Sequence, residues 1–148
     1  FNTAGRIVAG YISDKIGRIN TLSMAFIISI VGLFCLAISS QGDIVKFYIG
    51  ISIVGVCFGA FMGVFPGFTV DQFGAKNNSV NYGIMFIGFA FAGYIGPTVM
   101  KNVYASYGDY KRAIILGIVM ALVGLGLTFV YRFVNNKDLV KKELKKIS

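Results

Sequence analysis

Long uncharged apolar runs alternate with short polar linkers along this chain of 148 residues. Residues 21–39, 47–70, 79–100 and 113–131 each reach the roughly 20 residues that a helix needs to cross a hydrocarbon core. Residues 1–13 are apolar too, but too few to cross, and read as the second half of a truncated helix. The runs are continuous. A membrane strand would alternate and would need only about half that length. Inside lipid each backbone N–H must find its partner within its own segment, which a helix provides. The pattern therefore predicts an all-α membrane protein, a partial helix followed by four transmembrane helices. Linkers are expected over residues 15–20, 41–46, 71–78 and 101–112. Residues 1–134 form the membrane domain and 135–148 a basic tail. Lys141, Lys142, Lys145 and Lys146 surround Leu144 at helical spacing, and the tail is read as solvated and frayed in preference to a surface helix.

Composition agrees with lipid as the solvent. Hydrophobic residues make up 56% and charged residues 14%, with a mean hydropathy of +0.75. A soluble domain carries about 25% charged residues. The first residue is not Met and already lies in an apolar pattern, so the chain is read as a fragment lacking its N-terminal part. Histidine is absent and the two cysteines are not paired as CxxC, which argues against an ordinary zinc or haem site. No cofactor is expected. Cys35 and Cys57 fall within apolar runs and read as free thiols.

The net charge is +8, and its distribution decides its meaning. With the linker of Lys15 and Arg18 placed in the cytoplasm, Lys76, Arg132, Lys137 and the four tail lysines lie on that side as well. Lys46, Lys101, Lys111 and Arg112 lie outside. This asymmetry follows the positive-inside rule. It predicts a multi-pass cell-membrane protein with a cytoplasmic C-terminus, and no nucleic-acid partner.

The stretch "GYISDKIGR" spans Gly10 to Arg18 where the partial helix leaves the membrane. Gly10 would admit a neighbouring helix closely. Asp14 can pair with Arg18 or face the positive N-terminus of another helix. Gly17 permits a tight reversal. With Lys15, these residues are expected to form a charged latch between helix ends. The stretch resembles the major facilitator superfamily signature G-x-L-x-D-R-x-G-R. Gly10, Asp14, Gly17 and Arg18 match, Lys15 replaces Arg, and Ile12 stands for Leu. Four spans and a basic tail follow, which implies the C-terminal portion of a major facilitator bundle: the end of helix eight and helices nine to twelve.

A second stretch, "FPGFTVDQFGAKNNSVNYGIMFIGFAFAGYIGP", is similar to the tenth-to-eleventh helix region of the oxalate/formate antiporter group. "FNTAGR" at the start is similar to that group's eighth helix. The resemblance implies that Arg6 binds a substrate carboxylate. It also implies a lysine a few residues after N-Y-G in oxalate carriers, where Phe89 stands here. A dianion would then meet one cation in this stretch instead of two, which favours a monocarboxylate such as formate, lactate or pyruvate.

Depth supports a special role for Arg6 independently. It lies eight residues before Asp14, about 12 Å along a helix, near the middle of a core about 30 Å thick. A charge there costs at least about 2.5–3.5 kcal/mol. No acidic residue lies deep in any span. The offset must come from a water-filled cavity, a carboxylate outside this chain, or an anionic substrate. Guanidinium suits the last, as its planar fork matches a carboxylate bidentately.

Gly55, Gly59, Gly63 and Gly67 recur every fourth residue and form one stripe for close helix packing, static or sliding. Pro66 and Pro97 fall near the ends of their spans and permit kinks. Gly93, Gly96 and Pro97 form a flexible stretch. Tyr82, Phe86, Phe89 and Tyr94 are candidates to line a cavity beside Arg6. Asn81 is a candidate donor to a substrate oxygen or a helix cap.

No Ser-His-Asp set, P-loop or dinucleotide fingerprint occurs, and the chain is not read as an enzyme. The expected function is secondary transport of small carboxylates by formate/oxalate-type antiport and alternating access. Its expected partners are the carboxylate, the lipid bilayer and the missing N-terminal half. The alternatives are a proton-linked monocarboxylate symporter and a non-transporting sensor on the same fold.

Overall fold

The structure is a computed structural model that describes the backbone of residues 1–40 and 42–147, with side-chain surroundings as far as residue 135. Five helices follow in order: α1 (Asn2–Ile16), α2 (Arg18–Ile38), α3 (Ile44–Phe73), α4 (Asn78–Tyr107) and α5 (Lys111–Ile147). No strand occurs among the described residues. Arg18–Ile38, Ile44–Phe73, Asn78–Tyr107 and Lys111–Asn135 are each long and apolar enough to cross a membrane. These are the four expected spans, lengthened at their ends. At 1.5 Å per residue α3 and α4 run about 45 Å, past the hydrocarbon on both sides.

The linkers shrink accordingly. Between α1 and α2 only Gly17 is non-helical, with φ 90° and ψ 150°, a backbone region open mainly to glycine. Lys101, expected in a linker, lies within α4, which ends at Gly108 in the left-handed conformation. Pro66 and Pro97 are interior to α3 and α4. The basic tail continues α5 as helix to Ile147, not as a frayed end. Its lysine side chains lie outside the described residues.

α2 and α3 together make the centre of the packing. The buried residues of α2, Thr21, Leu22, Ala25, Ser29 and Gly32, recur at three- and four-residue steps and form one face. α2 contacts α1, α3 and α5, α3 also contacts α1, and α4 contacts α3 and α5 alone. The fully buried side chains are few and small, with Val64, Thr69 and Ser13 the largest. That is the packing of helices in lipid, where small residues let backbones approach. Large apolar side chains such as Phe34, Ile28, Val119 and Leu127 stay exposed, and form a surface suited to acyl chains.

The glycine stripe shows how close the approach is. A Cβ on Gly59 would stand 2.0 Å from the backbone oxygen of Asn2, and one on Gly63 2.6 Å from that of Arg6. From the other side, a Cβ on Gly5 would stand 2.2 Å from the Val56 carbonyl oxygen. The stripe is therefore the seat of α1. Cys35 and Cys57 are free thiols, as expected.

Two of the loops are tied by charge and aromatic contacts. Lys46 Nζ donates to Asp43 Oδ2 at 2.9 Å, and this hydrogen bond holds the Asp43 carboxyl below its ordinary value. At the α4–α5 turn Tyr104 and Tyr110 stack at 4.7 Å, and Arg112 lies 3.6 Å over Tyr107. Arg112, one of the four cations expected on the outer side, is thus placed on an aromatic face.

Candidate functional site

Arg6 is positioned by the tightest helix pair in the molecule. Gly5 and Ala9 are the buried residues that α1 sets beside it. The backbone of Arg6 lies against Gly59 and Gly63 of α3. Its side chain is exposed, and Nε donates to Asn2 Oδ1 one turn earlier at 3.0 Å. No carboxylate lies within ion-pairing distance of the guanidinium among the described residues. The backbone of Arg6 is fixed, and no carboxylate among the described residues neutralises its charge.

Tyr82, Phe86 and Phe89 project from α4 as one line of rings. Centroids are 5.4 Å apart for Tyr82 and Phe86, and 4.8 Å for Phe86 and Phe89. Phe58 of α3 extends the line, 5.9 Å from Phe89. With Phe26 of α2 and Met62 of α3 these rings wall an apolar cavity of about 330 Å³. Arg6 and Asn81 are not among its walls, and the backbones of α1 and α4 do not meet among the described residues. The structure therefore gathers Tyr82, Phe86 and Phe89 but leaves Tyr94, which is exposed, together with Arg6 and Asn81 outside the group. Asn81 sits in the first turn of α4, and its backbone N–H bonds to the Asn77 carbonyl at 3.1 Å. The helix cap itself is Asn77.

The charged latch forms around Arg18. Its Nη1 pairs with Asp14 Oδ1 at 2.7 Å and also donates to Ser13 Oγ. Its Nε reaches Asp71 Oδ2 at the end of α3, 3.3 Å away. Ser13 Oγ in turn donates to the Gly10 carbonyl at 2.7 Å. The Arg18 side chain lies across Gly67, where an added Cβ would stand 2.7 Å from Cζ. One guanidinium thus joins the α1–α2 junction to α3. Asp14 and Arg18 behave as expected, and Gly17 makes the turn.

Two members of the motif do not. Gly10 has nothing within 4 Å of where a Cβ would be, so no helix among the described residues packs closely on it. Gly5 and Ala9 occupy the face toward α3, and Gly10 is one step further round. Lys15 stands outside the ion network, with its Nζ 4.4 Å over the Tyr11 ring. Asp71, Ser13 and Gly67 were not foreseen as latch residues. Asp71 heads the D-x-F-G piece, but nothing in local spacing ties it to a residue 53 positions away.

Among the described residues no cluster of His, Cys, Asp or Glu is suited to a metal.

Comparison with known proteins agrees with this geometry. The profile of the Major Facilitator Superfamily matches residues 1–146. The chain is similar to the uncharacterised MFS-type transporter YhjX of Escherichia coli (strain K12), 38% identical over 60% of this chain and 22% of that protein. It is similar to the oxalate:formate antiporter of Oxalobacter formigenes, 30% identical over 88% of this chain and 31% of that protein. It is similar to the probable nitrate transporter NarT of Staphylococcus haemolyticus (strain JCSC1435), 30% identical over 95% of this chain and 34% of that protein. The chain thus spans between about a fifth and a third of the length of these relatives. No solved structure matches. Four apolar helices, the Asp14–Arg18 latch and the match along nearly the whole sequence agree: the chain belongs to the Major Facilitator Superfamily.

Proposed function

We propose that this chain is the C-terminal portion of a secondary transporter that exchanges small carboxylate anions across the cell membrane, with Arg6 as the cation that meets them. On this reading α1 is the end of helix eight, α2 to α5 are helices nine to twelve, and the motif end of the bundle is cytoplasmic. Substrate sits near the midplane between two halves that rock around it.

The observation that carries the reading is the guanidinium of Arg6. It lies about 12 Å from the latch along α1, and no carboxylate of the described residues neutralises it. A permanently charged group at that depth is costly unless an anion accompanies it. A small carboxylate supplies that charge and two oxygens for the fork. The similarity to an oxalate:formate antiporter supports the same chemistry. Phe89 in place of a second cation, within a ring-lined apolar wall, favours a monocarboxylate over a dianion.

A second reading rests on the similarity to a probable nitrate transporter along 95% of the chain. Nitrate is also a planar monoanion that presents two oxygens to a guanidinium.

Counterflow separates the readings. The full-length protein is reconstituted into vesicles loaded in turn with unlabelled formate, lactate, pyruvate or nitrate, and entry of the same anion in labelled form is followed without a proton gradient. Rapid exchange of a carboxylate is the expected result. Exchange of nitrate alone supports the second reading. Uptake that needs a proton gradient and collapses with an uncoupler replaces exchange by symport. Absence of uptake of every anion by folded protein overturns transport.

A further inference from the structure

A polar crevice at the motif end has no part in the reading above. α2 packs against both α3 and α5, but the backbones of α3 and α5 do not meet. At this end Tyr131 of α5 bridges the gap. Its ring lies 5.6 Å from Phe68, and its hydroxyl donates to Gln72 Oε1. The remaining space is an open crevice of about 330 Å³, lined by Arg18, Asn20, Asp71, Gln72, Arg132 and Asn135.

The chemistry of the walls selects the sign of the ligand. Asp71 faces Arg18 at 3.3 Å but shares it with Asp14, which lies closer at 2.7 Å and is not among the walls; the walls themselves carry two guanidinium groups and one carboxylate. Arg132 makes no ion pair among the described residues. Gln72 accepts from Tyr131 through Oε1, which leaves both N–H groups of its amide as donors. Asn20 uses one N–H on the Ile16 carbonyl at 2.7 Å and keeps the other. The crevice therefore offers, in Arg132, one guanidinium outside the ion pairs of the described residues, and amide donors from three helices, α2, α3 and α5. Donors converging from several directions suit an oxyanion with several oxygens. Its place where the apolar spans of three helices, α2, α3 and α5, begin or end is the depth of lipid headgroups, where basic pockets between helices recruit anionic phosphates.

We propose that this crevice binds a phosphate group, with Arg132 as its principal charge and Gln72, Asn20 and Asn135 as flanking donors. The group is the headgroup phosphate of an anionic phospholipid or a free phosphate ion. Occupancy would tie α5 to the end of α3, whose backbone it does not meet, and so stiffen α5 against the bundle.

The test uses the full-length protein in neutral detergent, titrated with phosphatidylglycerol, with phosphatidylcholine or with inorganic phosphate. Thermal unfolding and native mass spectrometry are the readouts. Phosphatidylglycerol is expected to raise the Tm of the wild type and to remain bound. Arg132→Gln should weaken its binding about tenfold, the size of one charge-assisted contact. Arg132→Lys, which keeps the charge, should retain more of the binding than Arg132→Gln. Lys101→Gln, at the other end of the bundle, should change nothing. Stabilisation by inorganic phosphate that also displaces the lipid identifies free phosphate as the ligand, and stabilisation by phosphatidylglycerol alone identifies the lipid. Wild-type responses to both in Arg132→Gln, or responses lost equally in Lys101→Gln, overturn the proposal.

Discussion

α3 and α4 have the same length, are interrupted by one proline each and are rich in glycine, yet they do opposite things. In α3 the glycines at 55, 59, 63 and 67 repeat every fourth residue and stay on one face. A Cβ at Gly59 or Gly63 would strike the α1 backbone, and one at Gly67 would strike Arg18. In α4 the glycines at 83, 88, 93 and 96 are spaced irregularly and scatter around the helix. None has a neighbour within 4 Å of an added Cβ. α3 buries six of its residues and α4 buries none. Glycine content alone therefore says little about packing; its periodicity says which helix is clamped.

Gly59→Val should break that contrast most severely. Its Cβ would land on a backbone oxygen that cannot swing aside, so α1 must move. The expected cost is at least about 3 kcal/mol, read as loss of monodisperse protein or a large fall in Tm. Gly93→Val in α4 should be tolerated in the same assay.

Arg18→Gln removes the charge that anchors α3 to the α1–α2 junction. Its partners are half exposed or more, so solvent screening limits the loss to about 1 kcal/mol. The Tm should fall modestly, and counterflow should slow if the latch takes part in the rocking of the halves. Gly93→Ala goes the other way. It adds no clash and restricts the unfolded chain, so it should raise stability by about 0.5–1 kcal/mol.

Asp43→Asn, in the loop before α3, should be the smallest effect. Lys46 lowers the Asp43 pKa from its ordinary 3.8. The contribution is thus present above that value and is lost as pH falls through the lowered one. The pair is exposed, and unfolding curves of variant and wild type near neutral pH should superimpose.

Much of the fold was legible because lipid imposes a simple code. Four apolar runs of sufficient length became four helices, and the glycine stripe of α3 did meet a helix. Helix ends were less legible, since the termini of α3 and α4 extend past the apolar residues into the interface. Lys101 is helical for that reason. The site was legible in part. Arg6 stands free of carboxylates among the described residues, as the absence of acids within the spans implied. The face shared by Tyr82, Phe86 and Phe89 was readable from helical spacing, but the opposing wall of Phe26 and Phe58 comes from other helices. The pairing of Arg18 with Asp71 depends on how α1 and α3 pack, which no local spacing encodes. Nothing local marked Gly10 as open while Gly5 and Ala9 face α3.

The role of Arg6 is tested most directly by equilibrium binding of formate or lactate to the purified full-length protein, wild type beside Arg6→Gln and Arg6→Lys. The expected result is an unchanged Tm with affinity lowered at least about tenfold in Gln, as befits loss of a charged hydrogen-bonding group, and a substantial loss in Lys because the fork is gone. Folded Arg6→Gln that binds these anions as tightly as the wild type would contradict the assignment.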